Sequence, residues 1–250
     1  MRNFRTIFIA SALAAALGLP AIALAQDVTF DKTFLNDYSR LAPRQSDRGT
    51  EYVFISPQAV EKVAKYTGVM VDQPEILVSP DSPYKGAKPD DLLAVANSMR
   101  DAMDARLKAG NYNVVDKPGP GIIYVRIALT DLSVEKKKRS LLEYTPVGAV
   151  VGFGVDAMKN FQQKFDILKM VFQAEITDSA TNEVYAQYVM VVGGGDKPTR
   201  IDFDKVKANM DEFGERLRCR LDNAAGPVDK QINCLDPAAR DARENAAKTS

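Results

Sequence analysis

The chain contains 250 residues, none of them histidine, and its 33 basic side chains balance 33 acidic ones. Without an imidazole, the chain cannot form a Ser-His-Asp or Cys-His catalytic site, a histidine-bound zinc site or a histidine pH switch. The balanced charge provides no overall attraction for nucleic acid, and the length suits one large domain or a domain with tails.

The N-terminus has the pattern of a secretory signal peptide. Arg2 and Arg5 precede an apolar run at 7–19, and the small residues up to Ala25 form a cleavage pattern. A retained membrane anchor is the alternative, but the run is shorter than the roughly 20 apolar residues that cross a bilayer. We therefore predict cleavage after Ala25, a periplasmic or secreted protein, and no transmembrane segment in the mature chain.

The remaining sequence predicts one domain between two less ordered ends. After the signal peptide at 1–25, the polar residues 26–33 predict a flexible N-terminal segment. Alanine and charged residues dominate the C-terminal end, and 223–250 is predicted as a partly disordered tail. The single α+β domain is expected at 34–222.

In the first half of the domain, short elements precede one long helix. Apolar residues at helical spacing predict one or two helical turns at 34–41, EYVFIS predicts a strand, and a helical segment begins at Pro57. The run GVMVDQPEILVS predicts a further strand, in which Pro74 favours an edge position or a bulge.

The clearest helix is predicted at 89–109. Pro89 suits its first position, Gly110 suits its end, and one apolar stripe consists of Leu92, Ala96, Met99, Met103 and Leu107. Paired aspartates, Asp90 with Asp91 and Asp101 with Asp104, offer carboxylates for a metal. A helix N-terminus and a solvated helix face are the favoured interpretation, so no metal site is predicted.

The second half of the domain predicts two hairpins and a final helix. The first hairpin consists of NYNVV, a turn at 118–121 and an alternating run up to residue 134. The second consists of FDILKMVFQAEITD and EVYAQYVMVV. Apolar residues three or four apart predict the helix at 202–221. Arg216, Arg218 and Arg220 complement its C-terminal end, where a solvated surface is favoured over an anion site.

These elements predict an α+β fold. Each alternating strand presents an apolar face that another layer must cover. We expect a mixed, mainly antiparallel sheet of about five strands with two long helices packed on one face.

Cys219 and Cys234 are the only two cysteines. In an oxidising compartment an isolated pair favours one disulfide, which would tie the tail to the last helix. A redox pair is disfavoured because the spacing is not Cys-x-x-Cys, and an intermolecular bridge is the remaining alternative.

A glycine-rich apolar stretch, TPVGAVVGFGVDAM, follows the basic run EKKKR. Its glycine order does not match a nucleotide-binding loop, and its apolar run is too short for a membrane span. Two interpretations remain: a connection that crosses the sheet, or an exposed contact loop. The cations that flank such a loop are Lys136, Lys137, Lys138 and Arg139 on one side and Lys159 and Lys164 on the other. The contact-loop candidates are Val147, Val150, Val151 and Phe153.

Several segments resemble a known family. These segments are FLNDYSRL, YVFISP, GVMVDQPEI, the GPG turn leading into IALTD, and EITDSATNEVYAQ. Over about 34–221, they resemble the bacterial envelope family called domain of unknown function 3313. The resemblance implies an exported cell-envelope domain without an established activity, so no catalytic residues are transferred. Many members begin with a lipidated cysteine, whereas this chain has Gln26, which favours a soluble form.

The favoured function is a non-catalytic envelope accessory or binding module that contacts envelope proteins or the membrane surface. We predict no catalytic, cofactor-binding or metal-binding residues. One alternative is a histidine-free hydrolase that uses two carboxylates in one pocket, drawn from Asp131, Glu143, Asp166, Glu175 and Asp178. The other is a periplasmic small-molecule carrier, which requires a large apolar cavity between helices and sheet.

Overall fold

The computed structural model describes residues 29–46, 49–137, 155–194, 200–201 and 203–248. The predicted signal peptide and the contact-loop candidates Val147, Val150, Val151 and Phe153 lie outside these residues. In chain order the elements are β1 (Ala42–Ser46), β2 (Gly49–Ile55), α1 (Ala59–Val63), β3 (Gly68–Val71), β4 (Glu75–Val78), α2 (Pro89–Ala109), β5 (Ile122–Lys136), α3 (Val155–Lys164), β6 (Phe165–Asp178), β7 (Val184–Gly193), α4 (Phe203–Ala225), a 3-10 turn (Val228–Lys230) and α5 (Pro237–Lys248).

The strands form one mixed sheet in the order β1-β2-β7-β6-β5-β3, and β4 also pairs with β5. Strands β3 and β4 run parallel to β5, whereas the other neighbours are antiparallel. The predicted α+β class and mainly antiparallel sheet are confirmed, with seven strands in place of about five. The difference arises because Pro74 lies between β3 and β4, and because β1, APRQS, has no apolar alternation.

One face of the sheet carries the main core beneath the two long helices. Alternate residues of β5, including Ile123, Val125 and Ile127, are almost fully buried there. They contact the apolar stripe of α2 and the inward residues of α4, including Leu217. The predicted placement of two long helices on one face is confirmed. In each helix, apolar residues three or four positions apart form one stripe, and this stripe faces the sheet.

The opposite face is covered by residues 29–41, which we call the strap. Phe34 and Leu35 are each only 5% exposed and pack with Ala128 and Val171 of the sheet. The helical turns predicted at 34–41 are wrong: the strap bends instead. The backbone amides of Phe34 and Leu35 donate to the Tyr38 hydroxyl, which replaces the bonds that a helix would supply.

The predicted hairpin from NYNVV into the long strand is also wrong. Val114 makes a single parallel bridge to Val69, so this segment lies beside β3 and not beside β5. Strand β5 spans 15 residues. One of its edges pairs with β6, and the other edge is long enough to pair with both β3 and β4.

The C-terminal segment predicted as a tail contains the end of α4 and all of α5. The predicted pair is present, because the sulfurs of Cys219 and Cys234 lie 2.02 Å apart. Arg240 of α5 donates to the Cys234 carbonyl at 2.6 Å and pairs with Glu212 of α4 at 2.6 Å. These contacts hold α5 against α4. Within the described residues, no helix has the length and apolar character to cross a membrane.

Candidate functional site

A basic cleft lies where β5 ends and β6 begins. It consists of two adjoining hollows of about 230 Å³ each, which share Lys137 and Phe165. The charged residues that line it are Lys88, Lys136, Lys137, Lys164, Arg200, Asp91 and Asp166. Among the residues that the structure describes, five cations thus face two carboxylates, which leaves a surplus of three positive charges in this part of the lining.

Local pairing explains why these cations meet. Lys136 lies opposite Phe165 in the antiparallel ladder of β5 and β6, and the Lys137 amide donates to the Lys164 carbonyl at 3.1 Å. Helix α3 leads directly into β6, so Lys164 stands next to Phe165. Two segments far apart in the sequence therefore bring their lysines to one rim.

The carboxylates in the cleft are already paired. Lys164 lies 2.7 Å from Asp91, while Asp166 lies 3.6 Å from Lys137 and 3.1 Å from Arg200. The Arg200 side chain is 71% exposed despite its ion pair. Solvent screens such exposed charges, so the cleft suits a weakly held anionic surface better than a tightly bound charged ligand.

The sequence singles out three of these cations, Lys136, Lys137 and Lys164, as flanks of the glycine-rich stretch. It gives no signal for Lys88 or Arg200. Both reach the cleft through tertiary structure, Lys88 just before α2 and Arg200 beside Ile201, which bridges to Ile167. Only the folded chain shows that they share one surface.

The structure describes four of the five carboxylates proposed for a hydrolase, and of these four only Asp166 lines the cleft. Asp131 accepts from the Asp31 amide at 2.8 Å, and Glu143 lies outside the described residues. Asp178 accepts from Tyr66, which together with backbone amides of the following turn lowers the pKa of its carboxyl. Each described carboxylate serves a local structural contact.

Glu175 is fully buried on the strap side of the sheet. Four donors approach its carboxylate: the backbone amide and side-chain amide of Asn36 at 3.4 and 3.0 Å, Arg126 at 3.3 Å and Gln187 at 2.8 Å. The guanidinium of Arg126 also lies 4.6 Å from the centre of the Phe34 ring. A buried carboxylate with this many donors holds the strap on the sheet.

The space between helices and sheet is small. A hollow bounded by Met103, Phe172 and Phe213 has a volume of about 20 Å³, and a second one near Leu92 and Phe161 has about 10 Å³. One water molecule needs roughly this volume, whereas small-molecule sites span about 300–1,000 Å³. Neither of these two hollows has the volume that a carrier site requires.

Of the four aspartates considered as metal ligands, Asp90 and Asp101 are exposed on α2, whereas Asp104 is partly buried. Asp91 pairs with Lys164, and burial raises the pKa of the Asp104 carboxyl. In the part of the chain that the structure describes, no group of three or more acidic or cysteine side chains is arranged to hold a metal ion.

The chain is similar to a known family over most of its length, and more distantly to solved structures. A family model described as "Protein of unknown function (DUF3313)" matches residues 31–217. The curated proteins give no match. A PelC dodecamer from Paraburkholderia phytofirmans is similar at 14% identity over 66% of this chain and 94% of that chain, with a TM-score of 0.34. A DUF4136 family protein from Bacteroides thetaiotaomicron is similar at 10% identity over 70% of this chain and 98% of that chain, with a TM-score of 0.36. Neither likeness is close enough to transfer a function.

Proposed function

This chain belongs to the DUF3313 family, and we propose that it is an exported, non-catalytic cell-envelope module that binds the anionic surface of a membrane through its basic cleft. The surplus of three positive charges in the cleft lining carries the proposal. The signal-peptide pattern at 1–25 supports export.

The sequence beside the cleft strengthens the membrane assignment. Lys138 and Arg139 directly follow Lys137, and the apolar contact-loop candidates begin at Val147, after the seven residues SLLEYTP. Apolar residues bracketed by cations suit the boundary between lipid headgroups and acyl chains. Because each cation near an anionic surface contributes about 1 kcal/mol, the cleft alone supports weak, reversible attachment that added salt weakens.

Vesicle co-sedimentation tests the cleft. We expect the mature protein to sediment with vesicles of phosphatidylglycerol and phosphatidylcholine, and to stay in solution with phosphatidylcholine alone. A triple variant, Lys136→Gln, Lys137→Gln and Arg200→Gln, should lose sedimentation. The matched control removes three exposed lysines elsewhere, Lys65→Gln, Lys117→Gln and Lys230→Gln, and should sediment like the wild type. Equal binding by both variants, or no binding by the wild type, overturns the proposal.

The contact-loop candidates need their own variants. Val150→Asp with Val151→Asp places charge in the apolar stretch and should weaken binding to the mixed vesicles if these valines enter the headgroup region. Unchanged sedimentation would restrict the contact to the cleft. A soluble envelope partner captured by crosslinking, with no vesicle binding, would assign the cleft to a protein surface and contradict the membrane assignment.

Export has a separate test. Fractionation of cells that express the full chain should place a shortened product, cleaved after Ala25, in the periplasm or the medium. Retention of the full-length chain in the cytoplasm would contradict export without affecting the vesicle result.

A further inference from the structure

One of the two hollows in the basic cleft has an aromatic wall. We call it the lysine hollow, because its lining includes Lys88, Lys136, Lys137 and Lys164 together with Tyr84 and Phe165. The rings of Tyr84 and Phe165 stack with their centres 5.4 Å apart, and Lys136 Nζ lies 5.9 Å from the centre of the Tyr84 ring. A ligand in this hollow therefore meets ammonium groups and an aromatic surface side by side.

Hydrogen bonds to β5 fix the aromatic wall in place. The Tyr84 amide donates to the Val134 carbonyl at 3.0 Å, and the Val134 amide donates to the hydroxyl of Ser82 at 3.0 Å. Ser82 is only 3% exposed, and the Tyr84 hydroxyl donates to the Gly86 carbonyl at 3.0 Å. The wall is thus held on the strand that ends in Lys136, so a ligand does not have to order it on binding.

The charges that line the hollow do not balance among the described residues. Lys164 pairs with Asp91 at 2.7 Å, and Lys137 lies 3.6 Å from a carboxylate of the adjoining hollow. Lys88 and Lys136 form no ion pair with any residue that the structure describes, and both side chains are exposed, so a solute can reach them. Two positive charges therefore remain for a ligand at this place.

Charge and size together indicate the ligand. A phosphate monoester carries a charge of about −1.5 to −2 near neutral pH. A phosphate diester has only one ionised oxygen and carries a single charge. The volume of about 230 Å³ exceeds the roughly 30 Å³ of one water molecule several times, but lies below the roughly 300–1,000 Å³ of most small-molecule sites. A phosphate group with a few further atoms suits this space.

We propose that the lysine hollow binds the terminal phosphate of a membrane lipid whose headgroup is a phosphate monoester. Lys88 and Lys136 donate to the phosphate oxygens, and the ring of Tyr84 contacts the carbon atoms that follow the ester oxygen. This inference rests on the proposed function and adds headgroup selectivity to it. The other cations of the cleft attract any anionic surface, whereas the hollow distinguishes a monoester from a diester.

Vesicle co-sedimentation at matched surface charge tests the selectivity. One set of vesicles contains phosphatidic acid, a monoester, in phosphatidylcholine; the other contains phosphatidylglycerol, a diester, diluted to give the same zeta potential. We expect the wild type to bind the phosphatidic acid vesicles about fivefold more tightly, because one further unit of charge beside these cations contributes about that factor. Lys88→Gln should remove this preference, since it takes away one of the two ammonium groups without an acidic partner.

Lys85→Gln is the matched control. Lys85 is exposed three positions before Lys88 and does not line either hollow, so its loss should weaken both kinds of binding equally and leave the preference intact. Gly86→Ala changes the wall and keeps every charge. Its Cβ would lie 2.6 Å from the Tyr84 hydroxyl oxygen, so the ring must move. This variant should reduce the preference while binding to phosphatidylglycerol vesicles stays as in the wild type.

The possible failures of the two proposals differ. Equal binding of both vesicles by the wild type, or a preference that persists in Lys88→Gln, overturns the headgroup selectivity and leaves the membrane assignment intact. No binding to either vesicle overturns the membrane assignment. Saturable calorimetric binding of glycerol 3-phosphate without any vesicle binding would assign the hollow to a soluble monoester and contradict the lipid.

Discussion

The side-chain amide of Asn36 donates a 3.0 Å hydrogen bond to the carboxylate of Glu175, which joins the strap to the buried polar centre of the sheet. Gln187 and Arg126 donate to the same carboxylate from neighbouring strands. The bond links residues separated by 139 positions, so it forms only when the strap has docked.

Asn36→Ala is expected to lower the free energy of unfolding by about 1–2 kcal/mol, because a donor to a buried charge is lost while the other donors remain. Urea unfolding followed by circular dichroism measures this change. Ser39→Ala, at an exposed strap position, is the control and should change stability by no more than about 0.5 kcal/mol. Equal effects of the two substitutions would show that the Asn36 bond does not hold the strap.

Alkaline pH is expected to destabilise the fold through three tyrosines that donate to aspartates: Tyr66 to Asp178, Tyr112 to Asp222 and Tyr124 to Asp72. Burial first, and then the hydrogen bond to the carboxylate, raises the pKa of each hydroxyl, and for Tyr124 to about 12. A tyrosine in the unfolded chain ionises at about pH 10. The stabilisation that these neutral, hydrogen-bonded tyrosines give the folded state is therefore complete below that pH and is lost as the pH rises through the folded pKa.

Urea midpoints measured from about pH 8 to pH 11 should therefore fall above about pH 10. Tyr124→Phe should make this fall shallower, and should remove the ultraviolet absorbance step of phenol ionisation near pH 12. A Tyr124 that ionises near about pH 10 in the folded protein would contradict the expectation.

Reduction of the Cys219–Cys234 bond is expected to lower the free energy of unfolding by about 3 kcal/mol, the chain-entropy value for a loop of this length. The bond closes a separation of 15 residues and keeps α5 beside α4, where Arg240 and Glu212 pair. Urea unfolding with and without reductant measures the loss. Cys219→Ser with Cys234→Ser is the control, since reductant should not affect it further. Free thiols in protein purified without reductant would contradict the bond itself.

The long strands and helices follow from the sequence because their periodicity is strong. Alternation along β5 and β6 shows which side chains face the core, and the apolar stripe of α2 identifies its buried side. The strap is different. The spacing of its apolar residues fits a helix, but Phe34 and Leu35 make more contacts by lying flat on the sheet. The periodicity of the strap alone does not indicate that the sheet offers this surface.

The candidate sites follow from the sequence only in part. Lys136 and Lys137 are visible as a basic run, whereas Arg200 joins them through the bridge between Ile201 and Ile167. Arg216 of α4 is visible in the sequence as part of a basic group, but its burial depends on β2, which places Glu51 beside it. Charge patterns in a sequence identify local groups, and tertiary structure decides which groups share one environment.

Gly214 offers a position where a larger residue should stabilise the protein. It lies buried within α4 and lines the hollow of about 20 Å³ between α4, α2 and the sheet. A Cβ there would lie 3.5 Å from Arg106 Cγ and 3.8 Å from Met103 Cε, at ordinary contact distances. Because glycine costs a helix about 1 kcal/mol relative to alanine, Gly214→Ala should raise the free energy of unfolding by about that amount.

Gly193→Ala is the control with the opposite expected effect, because the same substitution is made at a residue with a different backbone conformation. Gly193 has φ of +73°, and a Cβ there would clash with the Leu168 carbonyl oxygen and lie 2.8 Å from Ile201 Cδ1. We expect a loss of more than about 1 kcal/mol, from strain in the left-handed region together with displacement of Ile201. Urea unfolding of the two variants should therefore move the midpoint in opposite directions; a destabilised Gly214→Ala would show that α4 cannot approach α2 with a methyl group between them.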